Sequence, residues 1–149
     1  MRDEPLAFEA VDYALRYVGR RYLWGEAPGG GDDPVLGFDC SGFISEVLRG
    51  VGLFSPSQRE NARGILKIFK NKLVGFPDAG VLAFYGSNPG APTHIAMLKS
   101  TRFIVESGGG NSATTTDLAA AARNAFVRIR PLHYRKDLIC MADPFLQVV

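Results

Sequence analysis

Cys40 stands at the joint between a glycine-rich stretch and an apolar-periodic one, Phe38-Asp39-Cys40-Ser41-Gly42-Phe43, a position where a thiol can become a nucleophile. Phe43, Ile44, Val47, Leu48 and Val51 recur at helical spacing, so the pattern predicts a helix starting at the cysteine, with Asp39 as its N-cap. The first N–H groups of a helix lack intrahelical partners and the macrodipole is positive there, which favours negative charge on a first-turn sulfur. Amide chemistry by a thiol also needs a base. His94, in the strand-like run Thr93-His94-Ile95-Ala96-Met97, is the histidine placed to supply it; His133 follows Pro131 near the far end and is expected on the surface. On position alone a cysteine among apolar residues is most often a small core residue, so the neighbours have to decide.

The neighbours point one way. Upstream stands Tyr22-Leu23-Trp24-Gly25, then a loop, then Gly37-Phe38-Asp39-Cys40-Ser41-Gly42-Phe43, with His94 later in a strand. This combination, Y-x-W-G, loop, G-F-D-C-S-G-F and a downstream H-hydrophobic-small-hydrophobic strand, resembles the NlpC family of cell-wall cysteine peptidases. The resemblance runs from about Tyr22 to Ser107 and implies a papain-like α+β fold. It implies Cys40 as nucleophile and His94 as base, with a third polar residue on the next strand, commonly a His. Here that position holds Glu106, a departure from the pattern; a carboxylate can accept the second imidazole N–H and favour the imidazolium, as Asp does in other triads. A register shift of one residue would turn Glu106 outward. The resemblance further implies that the Tyr22 hydroxyl assists with the oxyanion or with substrate, that Asp39 and Ser41 contribute to binding the substrate peptide near its free amine, and that Trp24 is a further substrate-binding residue. The implied substrate is a peptidoglycan stem peptide, cut between γ-D-glutamate and a diamino acid.

The elements that must position these residues can be read along the chain. Ala7, Val11, Ala14, Leu15 and Val18 share a helical face, predicting a first helix from Pro5 to Val18 ended by Gly19. Gly25 to Gly37 is too rich in Gly and Pro for regular structure and is a candidate wall of a substrate cleft. The Cys40 helix should stop near Gly50-Val51-Gly52, and Ser55-Pro56-Ser57 should open a third helix with Ala62, Ile65, Leu66 and Phe69 on one face. From Gly80 the pattern changes to short apolar runs between turn residues: Val81–Tyr85, His94–Leu98 and Phe103–Glu106 read as antiparallel strands, the last two joined by a hairpin at Lys99-Ser100-Thr101-Arg102. Ser107 to Thr116 reads as loop, followed by a short alanine-rich helix from Asp117. Phe126 to Arg130 alternates as a strand, with Val127 and Ile129 inside and Arg128 and Arg130 toward solvent. Helices first and strands after them give an α+β domain, with N-terminal helices packed on a small antiparallel sheet.

Composition bounds the remaining possibilities. A chain of 149 residues has the length of a single domain, here residues 1–149. A formal net charge of +2, with Lys and Arg scattered or in short clusters such as Arg20-Arg21 and Arg128, Arg130, Arg135, Lys136, gives no argument for nucleic acid; these side chains read as a solvated face. No apolar run approaches the roughly 18 residues of a membrane span, and Met1-Arg2-Asp3-Glu4-Pro5 lacks the apolar core of a signal peptide. The expectation is a protein made in the cytoplasm that reaches the wall through a phage tail, a lysis system or a secretion apparatus. C-x-x-C, H-E-x-x-H and G-x-G-x-x-G are all missing, so neither a metal site nor a cofactor is expected. A disulfide between Cys40 and Cys140 would silence the nucleophile, and Cys140, in Leu138-Ile139-Cys140-Met141, reads as a core residue. Two alternatives stand at this stage: a cysteine-dependent amidase or acyl transferase acting on another amide, and a catalytically idle relative that binds wall peptides or builds a phage tail.

Overall fold

The computed structural model describes residues 1–22, 39–110 and 117–147. In chain order these form α1 (Glu4–Leu15), α2 (Cys40–Gly50), α3 (Ala62–Ile68), a 3-10 turn (Lys70–Lys72), β1 (Leu73–Val74), β2 (Leu82–Tyr85), β3 (His94–Leu98), β4 (Phe103–Gly108), α4 (Asp117–Ala122), β5 (Phe126–Pro131) and β6 (Leu138–Ala142). The strands make one sheet in the order β1-β6-β2-β3-β4-β5, and every neighbouring pair is antiparallel. This is the α+β arrangement expected, with helices packed on an antiparallel sheet.

Both faces of the central strands are buried, which is why Val81–Tyr85 and His94–Leu98 read as continuous apolar runs without alternation. Leu82, Phe84, Ile95, Met97, Val105 and Val127 pack against α1 and α2, whose apolar faces supply Ala7, Ala10, Ala14, Phe43, Ile44, Val47 and Leu48. Val81, Ala83, Tyr85, Ala96, Leu98 and Ile104 form a second cluster on the opposite face, covered by Leu132 and Tyr134 from the segment between β5 and β6. Helix α2 lies against β3 and β4, so its N-terminus is held at the start of β3.

Several boundaries differ from the expectation. The first helix ends at Leu15 rather than Val18; Arg16, Tyr17 and Val18 continue in tight turns bonded to the carbonyls three residues back. The third helix begins at Ala62, not at Ser55. Segment 55–60 is tied to α2 instead: Arg49 Nη1 donates to the Gln58 carbonyl (2.7 Å), and the Ser45 hydroxyl lies within 3.3 Å of the Glu60 carbonyl. Only after this tether does Asn61 cap the helix, its Oδ1 accepting from Gly64 N–H at 2.8 Å. Strand β4 runs on through Ser107 and Gly108, which pair with Val127 and Phe126. Two strands escaped the sequence reading. Leu138–Ala142 pairs with both β1 and β2, and Leu73–Val74 is too short to leave a pattern. Cys140 lies on β6, half-buried against the helix-side core, and burial pushes its thiol pKa up. The loop expected over Gly25–Gly37 lies outside the described residues.

If α3 is capped at Asn61, Asn61→Ala should lower the unfolding free energy by about 1 kcal/mol, whereas exposed Ser57→Ala should stay within about 0.5 kcal/mol of wild type. Urea denaturation of both variants checks this; equal losses would move the helix start back toward Ser55.

Candidate active site

Asp39 has extended backbone, and its Oδ1 accepts from Gly42 N–H at 2.7 Å, an N-cap that fixes where α2 begins. Cys40 is therefore the first helical residue, and the N–H groups of Cys40 and Ser41 have no carbonyl behind them in the helix. The sulfur lies 3.9 Å from the Thr93 carbonyl, immediately before β3. The next residue is His94, whose imidazole lies close enough to Cys40 for the two to interact electrostatically.

The hairpin register, Met97 opposite Val105 and Leu98 opposite Ile104, turns Glu106 inward. Its side chain is fully buried, and Oε1 lies 2.6 Å from His94 Nε2. With Nε2 committed to the carboxylate, Nδ1 is the imidazole nitrogen left for the sulfur. Burial works against the imidazolium, but the charges of Cys40 and Glu106 and the Glu106 hydrogen bond outweigh it, and the His94 pKa is pushed up to about 9. Burial likewise works against the Glu106 carboxylate; His94, Tyr134 and Arg128 outweigh it and hold its pKa below the usual value. The structure thus brings Cys40, His94 and Glu106 into one continuous line.

Cys40 and His94 open onto a cleft of about 700 Å³, lined also by Tyr22, Asp39, Ser41, Arg63, Tyr134 and Arg135, with Glu106 buried behind them. Tyr22 is 4% exposed. Its backbone N–H donates to the Ala125 carbonyl (3.0 Å), and its ring packs with Ala120 and Ala125. Gly110 passes so close to that ring that any Cβ there would overlap it. Burial, followed by the nearby charges of Cys40 and Asp39, raises the Tyr22 phenol pKa, so its hydroxyl stays protonated and able to donate. Ser41 and Asp39 line the cleft beside Cys40. Trp24 lies outside the described residues. His133 is exposed, as expected.

Within the basic cluster Arg130 and Lys136 are exposed, as expected, whereas Arg128 and Arg135 are half-buried and paired with carboxylates. Arg128 is paired with Glu106, its Nε 3.1 Å from Oε2, because the two face each other across the β4–β5 ladder. Arg130 sits over the Tyr134 ring and Arg21 over Phe126. Arg135 makes two bonds to Asp137, at 2.9 and 2.6 Å, and covers the Tyr85 ring. Ile129, expected inside with Val127, is 42% exposed. Arg128 and Tyr134, both in contact with Glu106, are the site residues that sequence reasoning missed. Opposite charge on Glu106 and Arg128 was the available signal, but the pairing of β4 with β5 was not fixed by any short turn. Among the described residues there is no cluster of three His, Cys, Asp or Glu that could hold a metal, and no helix is long and apolar enough to cross a membrane.

Known proteins carry the same arrangement of elements. A profile of the NlpC/P60 family matches residues 19–129, which hold Tyr22, Cys40, His94 and Glu106. The chain belongs to the NlpC/P60 family. It is 29% identical over 137 residues to the peptidoglycan endopeptidase RipB of Mycobacterium tuberculosis, an alignment covering 81% of this chain and 53% of RipB. It is 33% identical over 86 residues to the bifunctional muramidase/DL-endopeptidase CwlT of Bacillus subtilis, covering 56% of this chain and 24% of CwlT. The chain thus spans about half of RipB and about a quarter of CwlT. The solved structure of the Mycobacterium tuberculosis RipB superposes with a TM-score of 0.60 at 23% identity, over 97% of this chain and 69% of that one. NlpC2 from Trichomonas vaginalis gives 0.68 at 15% identity, over 95% and 47%. The likeness to these structures confirms the papain-like NlpC/P60 fold.

A His94 pKa raised from 6.5 to about 9 makes stability depend on pH. The raised value means that the folded state holds the proton more tightly, so its contribution is complete below pH 6.5 and is lost as pH rises toward 9. Wild type should therefore lose unfolding free energy relative to His94→Gln across that window, and parallel curves would show that the imidazole is not held as the geometry implies.

Proposed function

We propose that the chain is a cysteine peptidase that hydrolyses an amide bond in peptidoglycan stem peptides, between γ-D-glutamate and a diamino acid. The observation that carries the reading is the line from half-buried Cys40, at the N-terminus of α2, through His94 to fully buried Glu106, with Cys40 and His94 facing a cleft. Relatives named as peptidoglycan endopeptidases supply the substrate class.

In this mechanism the Cys40 sulfur, paired with the His94 imidazolium, attacks the carbonyl carbon of the scissile amide. The tetrahedral oxyanion is received by the Cys40 backbone N–H, with the Tyr22 hydroxyl as second donor. His94 then gives its proton to the departing amine, leaving a thioester on Cys40 and a neutral imidazole. Water enters, His94 takes its proton, and the hydroxide attacks the thioester; the acid product leaves and the thiolate–imidazolium pair returns. Glu106 keeps Nε2 protonated and aimed throughout, so that Nδ1 faces the sulfur. Asp39 and Ser41 contribute to binding the peptide near its free amine, and Trp24 is a further substrate-binding residue. The place of action on this reading is the cell wall, reached through phage or secretion machinery.

The test is incubation with muropeptides of defined stem sequence and mass spectrometry of the fragments. Wild type should release a product ending in γ-D-glutamate, and Cys40→Ala should release none while keeping the wild-type circular dichroism spectrum. Turnover by Cys40→Ala, or intact substrate with wild type, would overturn the proposal; transfer to an amine in place of water would make the protein an acyl transferase.

A further inference from the structure

Glu106 accepts from three side chains, not one. Beside His94 at 2.6 Å, the Tyr134 hydroxyl lies 2.7 Å from Oε1 and 2.8 Å from Oε2, and Arg128 Nε lies 3.1 Å from Oε2. The carboxylate has no exposure, while Arg128 retains 24%. The backbone leaves room for this group of side chains: two residues along the same strand is Gly108, where a Cβ would come to 2.5 Å from Glu106 Oε2 and 3.1 Å from the Arg128 guanidinium. A larger residue at that position would push the carboxylate and the guanidinium apart.

We propose that Arg128 and Tyr134 are positioning residues, a clamp that keeps Glu106 ionised and aimed while the charge on His94 changes during turnover. The inference rests on the peptidase reading for its role in catalysis and on the geometry for the clamp itself. A carboxylate buried beside one imidazole is balanced only while that imidazole is charged. When His94 gives its proton to the leaving amine, Glu106 loses its positive partner in a site that disfavours a bare charge, and an unclamped carboxylate would hold the proton back. Arg128 supplies a permanent positive charge at that moment. Tyr134 bridges both oxygens and fixes the plane of the carboxylate; burial and the Glu106 charge raise its own pKa to about 12, so it remains a donor at every working pH. By competing with His94 for the carboxylate, both donors also temper the upward pull on the imidazole, so the acid that must protonate the amine is not made too weak.

The charged and titratable groups around the pair come from five places: Cys40 on α2, Tyr85 on β2, His94 on β3, Arg128 on β5, and Tyr134, Arg135 and Asp137 between β5 and β6. Arg135 is bonded to Asp137, which offsets its charge, so Arg128 is the cation engaged directly with Glu106. Removing it should make the His94 proton harder to lose.

The chain has two histidines, so the His94 titration can be followed by NMR and assigned with His133→Gln. Arg128→Met should raise the His94 midpoint by about one unit, Tyr134→Phe should raise it less, and Arg128→Lys, which keeps the charge, should return it most of the way to wild type. In muropeptide assays Arg128→Met should lower kcat about tenfold with KM little changed. Midpoints unchanged in both Arg128→Met and Tyr134→Phe would overturn the clamp, and so would an Arg128→Lys midpoint displaced as far as that of Arg128→Met. Because the titration needs no turnover, the two readings fail separately: displaced midpoints in a protein that cleaves no muropeptide would overturn the peptidase reading and leave the clamp standing.

Discussion

The hydrogen bond between Glu106 and His94 is the interaction on which the rest of the site depends. It is 2.6 Å long, its carboxylate is fully buried, and it decides which imidazole nitrogen is free to meet the sulfur. In a site with this little solvent neither partner would keep its charge alone; each is ionised because the other is, and because Cys40, Arg128 and Tyr134 surround them.

The fold assembles it by bringing three rigid elements together. Asp39 fixes the start of α2, the apolar stripe from Phe43 to Leu48 fixes that helix on the sheet, and β3 begins where the helix begins. The β3–β4 hairpin then sets the register that turns Glu106 inward. A slip of one residue would bury Val105 there and expose the carboxylate, so the hairpin is as much a part of the site as the residues it carries. On the far side of the carboxylate, β5 and the segment after it add a cation and a hydroxyl that no single element could have supplied.

Much of this was legible in the chain because it is local. Asp39-Cys40-Ser41-Gly42-Phe43 followed by a 3.6-residue apolar period announces a helix with a cysteine at its head, and a four-residue turn between two apolar runs announces the hairpin joining His94 to Glu106. Arg128 was assigned to solvent because alternation shows which residues share a face but not what covers that face. Its partner lies across a ladder whose two strands are separated by α4, and such a pairing leaves no short-range mark. Tyr134 follows a turn after Pro131 and reaches Glu106 only through tertiary packing. The third helix was placed too early for a related reason: Ser55-Pro56 is a good local start, but Arg49 and Ser45 of α2 hold segment 55–60 out of the helix. Long-range tethers override local propensity in each case.

The central claim is that a buried carboxylate, where the family commonly has a histidine, sets the charge and direction of the His94 imidazole. Glu106→Gln tests it most directly, since the amide keeps an acceptor oxygen of similar shape and removes the negative charge. The measurement is kcat/KM against pH on a defined muropeptide, for wild type and variant side by side. The account predicts a lower maximum in the variant and a basic limb displaced to lower pH, because the imidazolium loses its buried counter-charge. A variant profile that overlays wild type in both height and position would contradict it.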